Sequence, residues 1–159
     1  MKRTTRPPKI LFVWVGRAGD SILGPAVDDY VERIGRFLPV AVKWIRPGTG
    51  DGPGSVTDES RRLQEACRDA GSVWLFDRLG PVIDSPGLAH QLTRDLENRP
   101  SPICLVVGGP AGVNEDLEAR ADRRISFGPM TFPHPIARLL AAEQLFRALT
   151  LKERVPYHK

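Results

Sequence analysis

The chain has 159 residues, of which 41% are hydrophobic and 26% are charged. This length and composition support a single domain that buries its own hydrophobic core. No apolar run approaches the roughly 18 residues that a membrane-spanning helix requires, so no helical membrane span is predicted. The two cysteines and three histidines are too widely scattered to form a local metal-binding motif, and no metal site is predicted.

The charge is unevenly distributed along the chain. The first nine residues contain four cations and no acid, and they account for the net charge of +4, because the remaining residues hold 19 basic and 19 acidic side chains. A second basic region follows residue 134. Basic patches of this kind bind polyanions such as RNA. The alternative is that the basic tail only maintains solubility.

The amino terminus resembles a secretory signal, because a basic stretch precedes an apolar one. The apolar run nevertheless ends after six residues, at Gly16 and Arg17, and no cleavage site follows. We therefore interpret the start as a basic tail that leads into a buried strand of a cytoplasmic protein.

Apolar and helical segments then alternate along the chain. Short apolar runs predict five strands, at residues 10–15, 40–45, 72–77, 102–107 and 124–127. Helical spacing and helix-start signals predict helices at residues 25–38, 57–70, 86–98, 115–122 and 136–151. Ser85 is the expected N-cap of the third helix, and Asn114 that of the fourth. Residues 46–55 contain four glycines and two prolines, and they are predicted to form a mobile loop.

The pattern of these elements predicts the fold class. Because the strands are apolar throughout and alternate with helices, we predict an α/β fold, with a mainly parallel sheet and helices on both faces. Only five polar residues interrupt the last helix, so it is apolar nearly all round. We expect its second buried side to face another subunit in an isologous homodimer. The alternative is a central helix buried within one subunit.

Three loops directly follow predicted strands. They contain LFDRLG at residues 75–80, GGPAG at residues 108–112 and SFGPMTFPHP at residues 126–135. Ligands of open α/β sheets bind beyond the carboxyl ends of the strands, where glycine lets the backbone approach closely. GGPAG matches neither common nucleotide-binding motif, and taken alone it is better explained by a plain turn. The stiff, apolar third loop predicts a pocket wall that contacts a flat ligand through backbone amides and carbonyls.

No catalytic triad, pair of catalytic carboxylates or set of metal ligands stands out in the sequence. This narrows the enzyme classes toward group transfer by positioning, in which a cofactor carries the reactive group.

Several motifs carry a family resemblance. LVVGGPAG, SFGPMTFPHPIAR, AEQLFRA and the terminal PYHK, in this order and spacing, resemble the family of ribosomal RNA large subunit methyltransferase H, which is of the SPOUT class. The resemblance covers residues 9–159 as one domain, and residues 1–8 form a basic extension before it. It implies a deep trefoil knot in the carboxyl-terminal half, a homodimer, and S-adenosylmethionine as the methyl donor. It also implies methylation of N3 of a pseudouridine in a hairpin of 23S rRNA, on the assembled ribosome.

The resemblance also implies a cofactor site. Carried over position by position, that site consists of Phe76, Gly108, Phe127, Gly128, Pro129, Met130, Thr131 and Phe132. The family commonly has leucine where this chain has Phe76, and either residue gives an apolar wall.

Methyl transfer to a ring nitrogen also requires groups that handle a proton and negative charge. His134 is the first candidate for the base or for an RNA contact, followed by Tyr157 and His158 near the carboxyl terminus. The candidates for binding phosphate or the developing charge on the ring are Arg138, Arg147 and Arg154. We expect the prolines beside His134 to point His134 and Arg138 toward the nucleic acid. We also expect the tail of one subunit to complete the site of the other.

Each candidate has a plainer explanation. His134 would then only satisfy a buried backbone carbonyl, Arg147 would pair with Glu143 one turn earlier, and Tyr157 would be an interface aromatic. At the level of function, the alternatives are a SPOUT-like enzyme that acts on tRNA, and an RNA- or ribosome-binding factor without catalytic activity.

Overall fold

The structure, a computed structural model, describes residues 6–50 and 52–159. Its strands are β1 (Ile10–Val15), β2 (Val40–Ile45), β3 (Ser72–Phe76), β4 (Ile103–Val107) and β5 (Arg123–Ile125). They form one sheet in the order β2-β1-β4-β3-β5, and every neighbouring pair is parallel. The predicted parallel sheet is therefore confirmed.

Five helices alternate with the strands. They are α1 (Gly24–Gly35), α2 (Pro53–Ala66), α3 (Ser85–Asn98), α4 (Glu115–Arg120) and α5 (His134–Lys152). Helices α1, α3 and α5 pack together on one face of the sheet, and α2 packs with α4 on the other. Because both faces are covered, both can be apolar, which explains the continuous apolar strands in the sequence.

Alternate residues of β1 lie in two separate hydrophobic cores. Phe12 and Trp14 lie in the core beneath α1, α3 and α5, whereas Val13 and Val15 lie in the core beneath α2 and α4. All four side chains are almost fully buried. This is the period-two alternation that a strand with two covered faces requires.

Helix α5 is buried between two neighbours of its own subunit. It packs against both α1 and α3, and its fully buried apolar residues are Ala141, Ala142, Leu145, Ala148 and Leu149. Burial within one subunit therefore explains one side of this apolar helix. The homodimer stays a prediction.

The glycine- and proline-rich segment is shorter and better anchored than the sequence predicted. Helix α2 begins at Pro53 rather than at residue 57, because proline has the backbone angle of the first helical turn and needs no amide partner there. Ser55 and Glu59 are buried, and Glu59 Oε1 accepts a hydrogen bond from the Gly48 amide at 2.9 Å. The prediction of a mobile loop over residues 46–55 is thus wrong for residues 53–55.

The predicted helix starts are partly corrected. Asn114 caps α4 as expected, with its side chain accepting from the Leu117 amide at 3.0 Å. The cap of α3 is Asp84 rather than Ser85, and Asp84 Oδ1 accepts from the Gly87 amide at 2.7 Å. Ser85 instead begins the helix and donates to Gln144 of α5 at 2.6 Å. Both residue types cap helices well, so local preference could not decide between them.

A buried acid ties α3 to two strands. Asp95 is 3% exposed and accepts hydrogen bonds from Ser72 Oγ at 2.7 Å, Trp74 Nε1 at 2.8 Å and Arg123 Nη2 at 2.9 Å. Burial disfavours its charge, but the hydrogen bonds from Arg123, Ser72 and Trp74 outweigh that cost and lower the pKa of Asp95. The carboxylate therefore stabilises the fold in its ionised form.

Replacing Asp95 by asparagine should lower the free energy of unfolding at pH 7 by about 3 kcal/mol, because a buried ion pair loses its acid. A carboxyl group with a lowered folded-state pKa stabilises above its unfolded pKa of about 3.9 and loses this contribution as the pH falls further. The difference from the wild type should therefore shrink in urea titrations at pH 3.5. Asp69→Asn, at an acid that is 91% exposed, is the control and should change little. A difference that does not depend on pH would contradict this account.

Three further features bear on the sequence predictions. No helix in the part of the chain that the structure describes is long and apolar enough to cross a membrane. Residues 1–5 of the predicted basic extension lie outside the described residues. The trefoil knot remains a prediction about the path of the carboxyl-terminal half.

Candidate active site

The residues predicted to bind the cofactor lie at one edge of the sheet. Phe76 ends β3, and it is paired in register with Val107 of β4 on one side and with Ile125 of β5 on the other. The next residues along these neighbouring strands begin the two loops that contain Gly108 and residues 127–132. The parallel sheet therefore gathers the predicted cofactor residues around the carboxyl end of β3.

Two aromatic rings form the centre of this edge. The rings of Phe76 and Phe127 are stacked, with their centroids 5.0 Å apart and their planes 9° from parallel. The predicted fifth strand ended at residue 127, but β5 ends at Ile125, and Phe127 leaves the strand direction to lie on Phe76. Nearby, Met130 is 73% exposed and Phe132 is 36% exposed. The edge thus presents an apolar surface that the described residues leave uncovered.

Ser126, which the sequence did not single out, fixes the start of the loop after β5. It is 2% exposed, donates to the Gly128 carbonyl at 2.8 Å and accepts from the Gly128 amide at 3.0 Å. Gly128 has a φ of 129°, which residues with a side chain rarely adopt. The Ser126 amide also donates to the Pro81 carbonyl at 3.0 Å. These contacts join the loops after β3 and β5 into one wall.

The glycines after β4 let their loop lie close to other side chains. A Cβ on Gly108 would lie 2.8 Å from Val113 Cγ1, and one on Gly109 would lie 2.5 Å from Glu59 Oε2. The loop closes on itself through a hydrogen bond of 3.0 Å from the Gly112 amide to the Gly109 carbonyl. A tight turn therefore describes its backbone, as the sequence alone suggested. Glu59, a second residue that the sequence did not single out, lies next to this turn.

His134 is the first residue of α5 rather than part of the loop before it. Burial lowers the pKa of His134, the charge of Arg138 lowers it further, and the charges of Asp20 and Glu59 oppose the shift. At neutral pH the imidazole is therefore mainly uncharged and able to accept a proton.

Arg138 does not point toward solvent, although the sequence predicted that it faces nucleic acid. Its side chain is 3% exposed and donates to the Val15 carbonyl at 2.9 Å and to Asp20 Oδ1 at 2.8 Å. Its guanidinium also lies 4.9 Å from the centre of the Trp44 ring. A guanidinium with several donors can join elements in this way. Here Arg138 joins the start of α5 to the end of β1.

The carboxyl-terminal tail folds back onto α1 and α5 of its own subunit. The Tyr157 hydroxyl donates to Glu143 Oε1 at 3.0 Å and lies 3.2 Å from the Tyr30 hydroxyl, while its ring meets Phe146 edge-on at 4.8 Å. Burial and the hydrogen bonds with Tyr30 and Glu143 raise the pKa of Tyr157. The phenol is therefore uncharged at neutral pH and acts here as a donor.

Arg147 connects Glu143 to the same tail. It donates to Glu143 Oε1 at 2.6 Å, as the plainer explanation predicted, and its guanidinium lies 4.7 Å from the centre of the Tyr157 ring. It also donates to His158 Nδ1 at 3.2 Å. Arg154 is exposed and has a φ of 57° just after α5. Tyr157 and His158 are thus held together around Arg147.

Within one subunit the tail candidates and His134 are separate. The Tyr157 hydroxyl donates a hydrogen bond to Glu143, which lies nine residues after His134 on α5. Nine residues span about 14 Å along the helix axis. His134 begins α5, two residues after Phe132 of the cofactor loop and one turn before Arg138. The structure therefore places the cofactor loops near each other and His134 beside Arg138, but not the tail with either.

Comparison with solved structures shows which proteins share the fold. A probable methylase family protein from Haemophilus influenzae Rd KW20 matches with a TM-score of 0.58 and 13% identity, over 96% of this chain and 71% of that chain. A probable methyltransferase from Bordetella pertussis Tohama I matches with a TM-score of 0.54 and 16% identity, over 89% and 96% of the two chains. At these identities the similarity shows a shared fold.

Sequence comparison then gives the family. A family model described as "Predicted SPOUT methyltransferase" matches residues 9–158, and the chain belongs to the SPOUT methyltransferase family. Two relatives are named ribosomal RNA large subunit methyltransferase H. The protein from Desulfotalea psychrophila is 34% identical over 91% of this chain and 95% of its own length. The protein from Alkalilimnicola ehrlichii is 40% identical over 82% of this chain and 86% of its own length.

The family assignment settles the broader sequence predictions. The resemblance to this family, the SPOUT-type α/β fold and the enzyme class of methyltransferase are confirmed. Membership of a methyltransferase family implies a methyl donor. The roles of the individual site residues stay predictions.

Proposed function

We propose that the protein transfers a methyl group from S-adenosylmethionine to N3 of a pseudouridine in 23S rRNA, on the assembled ribosome in the cytoplasm. The relatives cover most of this chain, and their names support ribosomal RNA as the substrate class. The observation that carries the proposal is the gathering of three loops around the stacked rings of Phe76 and Phe127. We further propose that residues 9–159 act as one domain and that residues 1–8 add RNA affinity.

The residues at this edge fit the chemistry of the proposed cofactor. An adenine ring is flat and apolar on its faces, and the Phe76–Phe127 pair offers a matching surface. Residues 128–132 would supply backbone amides and carbonyls, and Gly108 would allow close approach of the loop after β4. When bound, S-adenosylmethionine supplies a methyl carbon activated by its sulfonium. The remaining tasks are to orient the base and to remove the N3 proton.

His134 is suited to remove that proton. Its lowered pKa keeps the imidazole uncharged at neutral pH, and its place at the start of α5 adjoins the cofactor edge. The imidazole would take the N3 proton, while the loops around Phe76 would hold S-adenosylmethionine, which would supply the methyl group to that nitrogen. Arg138 acts as a positioning residue, because it fixes the first turn of α5 against β1.

The homodimer belongs to the same proposal. Met130, Phe132 and Ile136 expose apolar surface around the cofactor edge, which a second subunit would cover. Because His134 and the tail lie apart within one subunit, we propose that Tyr157 and His158 of one subunit complete the site of the other. Arg147 and Arg154 would then lie where they can bind RNA phosphates near the junction.

Two measurements test the proposed function. Calorimetry with S-adenosylmethionine separates an enzyme from a silent RNA-binding factor, because only an enzyme of this class needs a cofactor site. Mass spectrometry of 23S rRNA and tRNA from cells that lack the protein then identifies the substrate. Loss of a methyl group from a 23S pseudouridine is expected. Loss from tRNA alone, or absence of cofactor binding, would contradict the proposal.

Replacing His134 by alanine should lower kcat on ribosomes by about 100-fold or more, because the reaction loses its base. Binding of S-adenosylmethionine should not change. In the wild type, activity should fall as the pH drops through the pKa of His134, which burial holds below the usual value of histidine, because the protonated ring cannot accept a proton. The variant should lose this limb of the pH profile. His90→Ala, at an exposed histidine of α3, is the matched control. An unchanged profile in His134→Ala would exclude His134 as the base.

A further inference from the structure

A basic cavity lies at the same carboxyl edge of the sheet as the cofactor loops, in the half formed by β1 and β2. It has a volume of about 330 Å³ and is lined by Arg17, Arg46, Pro47, Gly48, Thr49 and Arg62. Arg17 follows β1 and Arg46 follows β2, so both lie beyond the carboxyl ends of adjacent parallel strands. Among residues 6–50 and 52–159, no acidic side chain lines it. Three guanidinium groups therefore share one concave surface.

The backbone of this cavity is held in place. Arg62 Nη1 donates to the Arg46 carbonyl at 2.8 Å and to the Pro47 carbonyl at 3.3 Å, which anchors the loop after β2 to helix α2. From the other side, the Gly48 amide donates to Glu59 Oε1 at 2.9 Å. A fixed cavity loses little conformational entropy when a ligand binds. These contacts thus preorganise the loop without using the side chains of Arg17 and Arg46.

Two of the described acids in this region are engaged elsewhere. Asp20 pairs with the buried Arg138 and accepts from the Arg17 amide, while Glu59 is buried and holds Gly48. The neighbouring Arg61 pairs with Asp58 at 3.9 Å, whereas no described acid lies within salt-bridge distance of the three cavity arginines. The positive charge of the cavity is therefore not neutralised by the part of the chain that the structure describes.

We propose that this cavity binds a backbone phosphate of the RNA substrate, beside the nucleotide whose base enters the methylation site. Guanidinium groups pair with phosphate oxygens through two parallel hydrogen bonds, which suits a group with several acceptors. Strand β1 neighbours β4, so the cavity lies two to three strand spacings, or roughly 10–15 Å, from the loops around Phe76. A single RNA strand could span that gap. The inference rests on the proposed RNA substrate and specifies how that RNA is held.

The test compares two double variants that remove the same charge. Arg17→Ala/Arg46→Ala empties the cavity of two cations, and Arg62 is kept because it anchors the loop. The control, Arg36→Ala/Arg68→Ala, removes two exposed arginines that follow α1 and α2, at the opposite edge of the sheet. Ribosome binding is measured by filter binding between 50 and 200 mM salt, with methyl transfer and the affinity for S-adenosylmethionine measured in parallel.

The cavity variant should bind ribosomes about 10-fold more weakly, and its slope of log affinity against log salt should be shallower by about one, because the loss of one phosphate contact removes nearly one unit. Its affinity for S-adenosylmethionine and its Tm should match the wild type. Wild-type affinity and slope in the cavity variant, or an equal loss in the control, would overturn the phosphate site. Absent methyl transfer by the wild type would instead overturn the proposed function, while the salt slopes would still decide the site.

Discussion

In a chain that ends at Pro156, the rate of methyl transfer to ribosomes should fall by about 100-fold or more, whereas the affinity for S-adenosylmethionine should not change. The truncation removes Tyr157 and His158, the tail groups that Arg147 and Glu143 hold. The cofactor loops around Phe76 make no use of these groups within the subunit. Single-turnover methylation and calorimetry measure the two quantities separately. A chain that lacks only Lys159 is the control and should remain active.

A mixing experiment decides in which subunit the tail works. The truncated chain keeps His134, and the His134→Ala chain keeps the tail, so each homodimer should be inactive. If the tail completes the site of the partner, each mixed dimer contains one intact site, and random mixing should restore about a quarter of the wild-type activity. If the tail serves its own subunit, mixing should restore none. If mixing restores no activity, the composite site is contradicted, and the tail is required for another reason.

Replacing Arg138 by methionine should lower the free energy of unfolding by about 3 kcal/mol. Methionine keeps much of the side-chain volume but leaves Asp20 without its partner and the Val15 carbonyl without a donor. Urea unfolding measures the loss. Arg120→Met, which breaks a pair with Asp122 at an arginine that is 37% exposed, should cost less than about 1 kcal/mol.

The same variant separates two roles for Arg138. As a positioning residue, Arg138 should affect kcat through His134, which lies one turn earlier on α5. The double variant Asp20→Asn/Arg138→Met should regain part of the lost stability, because no unpaired carboxylate remains. If Arg138 instead binds RNA directly, as the sequence suggested, the variant should weaken ribosome binding without losing stability. That result would require α5 to rearrange when RNA binds.

Much of the fold could be predicted because its causes are local. The strands are short apolar runs, and helical spacing marks the helices between them. The gathering of the three cofactor loops also follows from the sequence, since neighbouring parallel strands end at a common edge. What the sequence could not supply was the strand order, which sets Phe76 between Val107 and Ile125.

The remaining differences depend on contacts between distant parts of the chain. The sequence predicted that the prolines beside His134 point Arg138 toward nucleic acid, and only the approach of Asp20 and Val15 explains its burial. Glu59 and Ser126 carry no motif, and their importance lies in the loops that they hold. The docking of Tyr157 on Tyr30 joins residues 127 positions apart, which no local pattern can reveal.

Glu59 has a consequence for how two ligands could influence one another. One carboxylate oxygen holds Gly48 of the arginine-lined loop, and the other lies beneath Gly109 of the loop after β4. A shift of either loop would therefore displace the buried Glu59 side chain and, through it, the other loop. Any coupling of this kind is reciprocal: the factor by which cofactor tightens RNA binding must equal the factor by which RNA tightens cofactor binding.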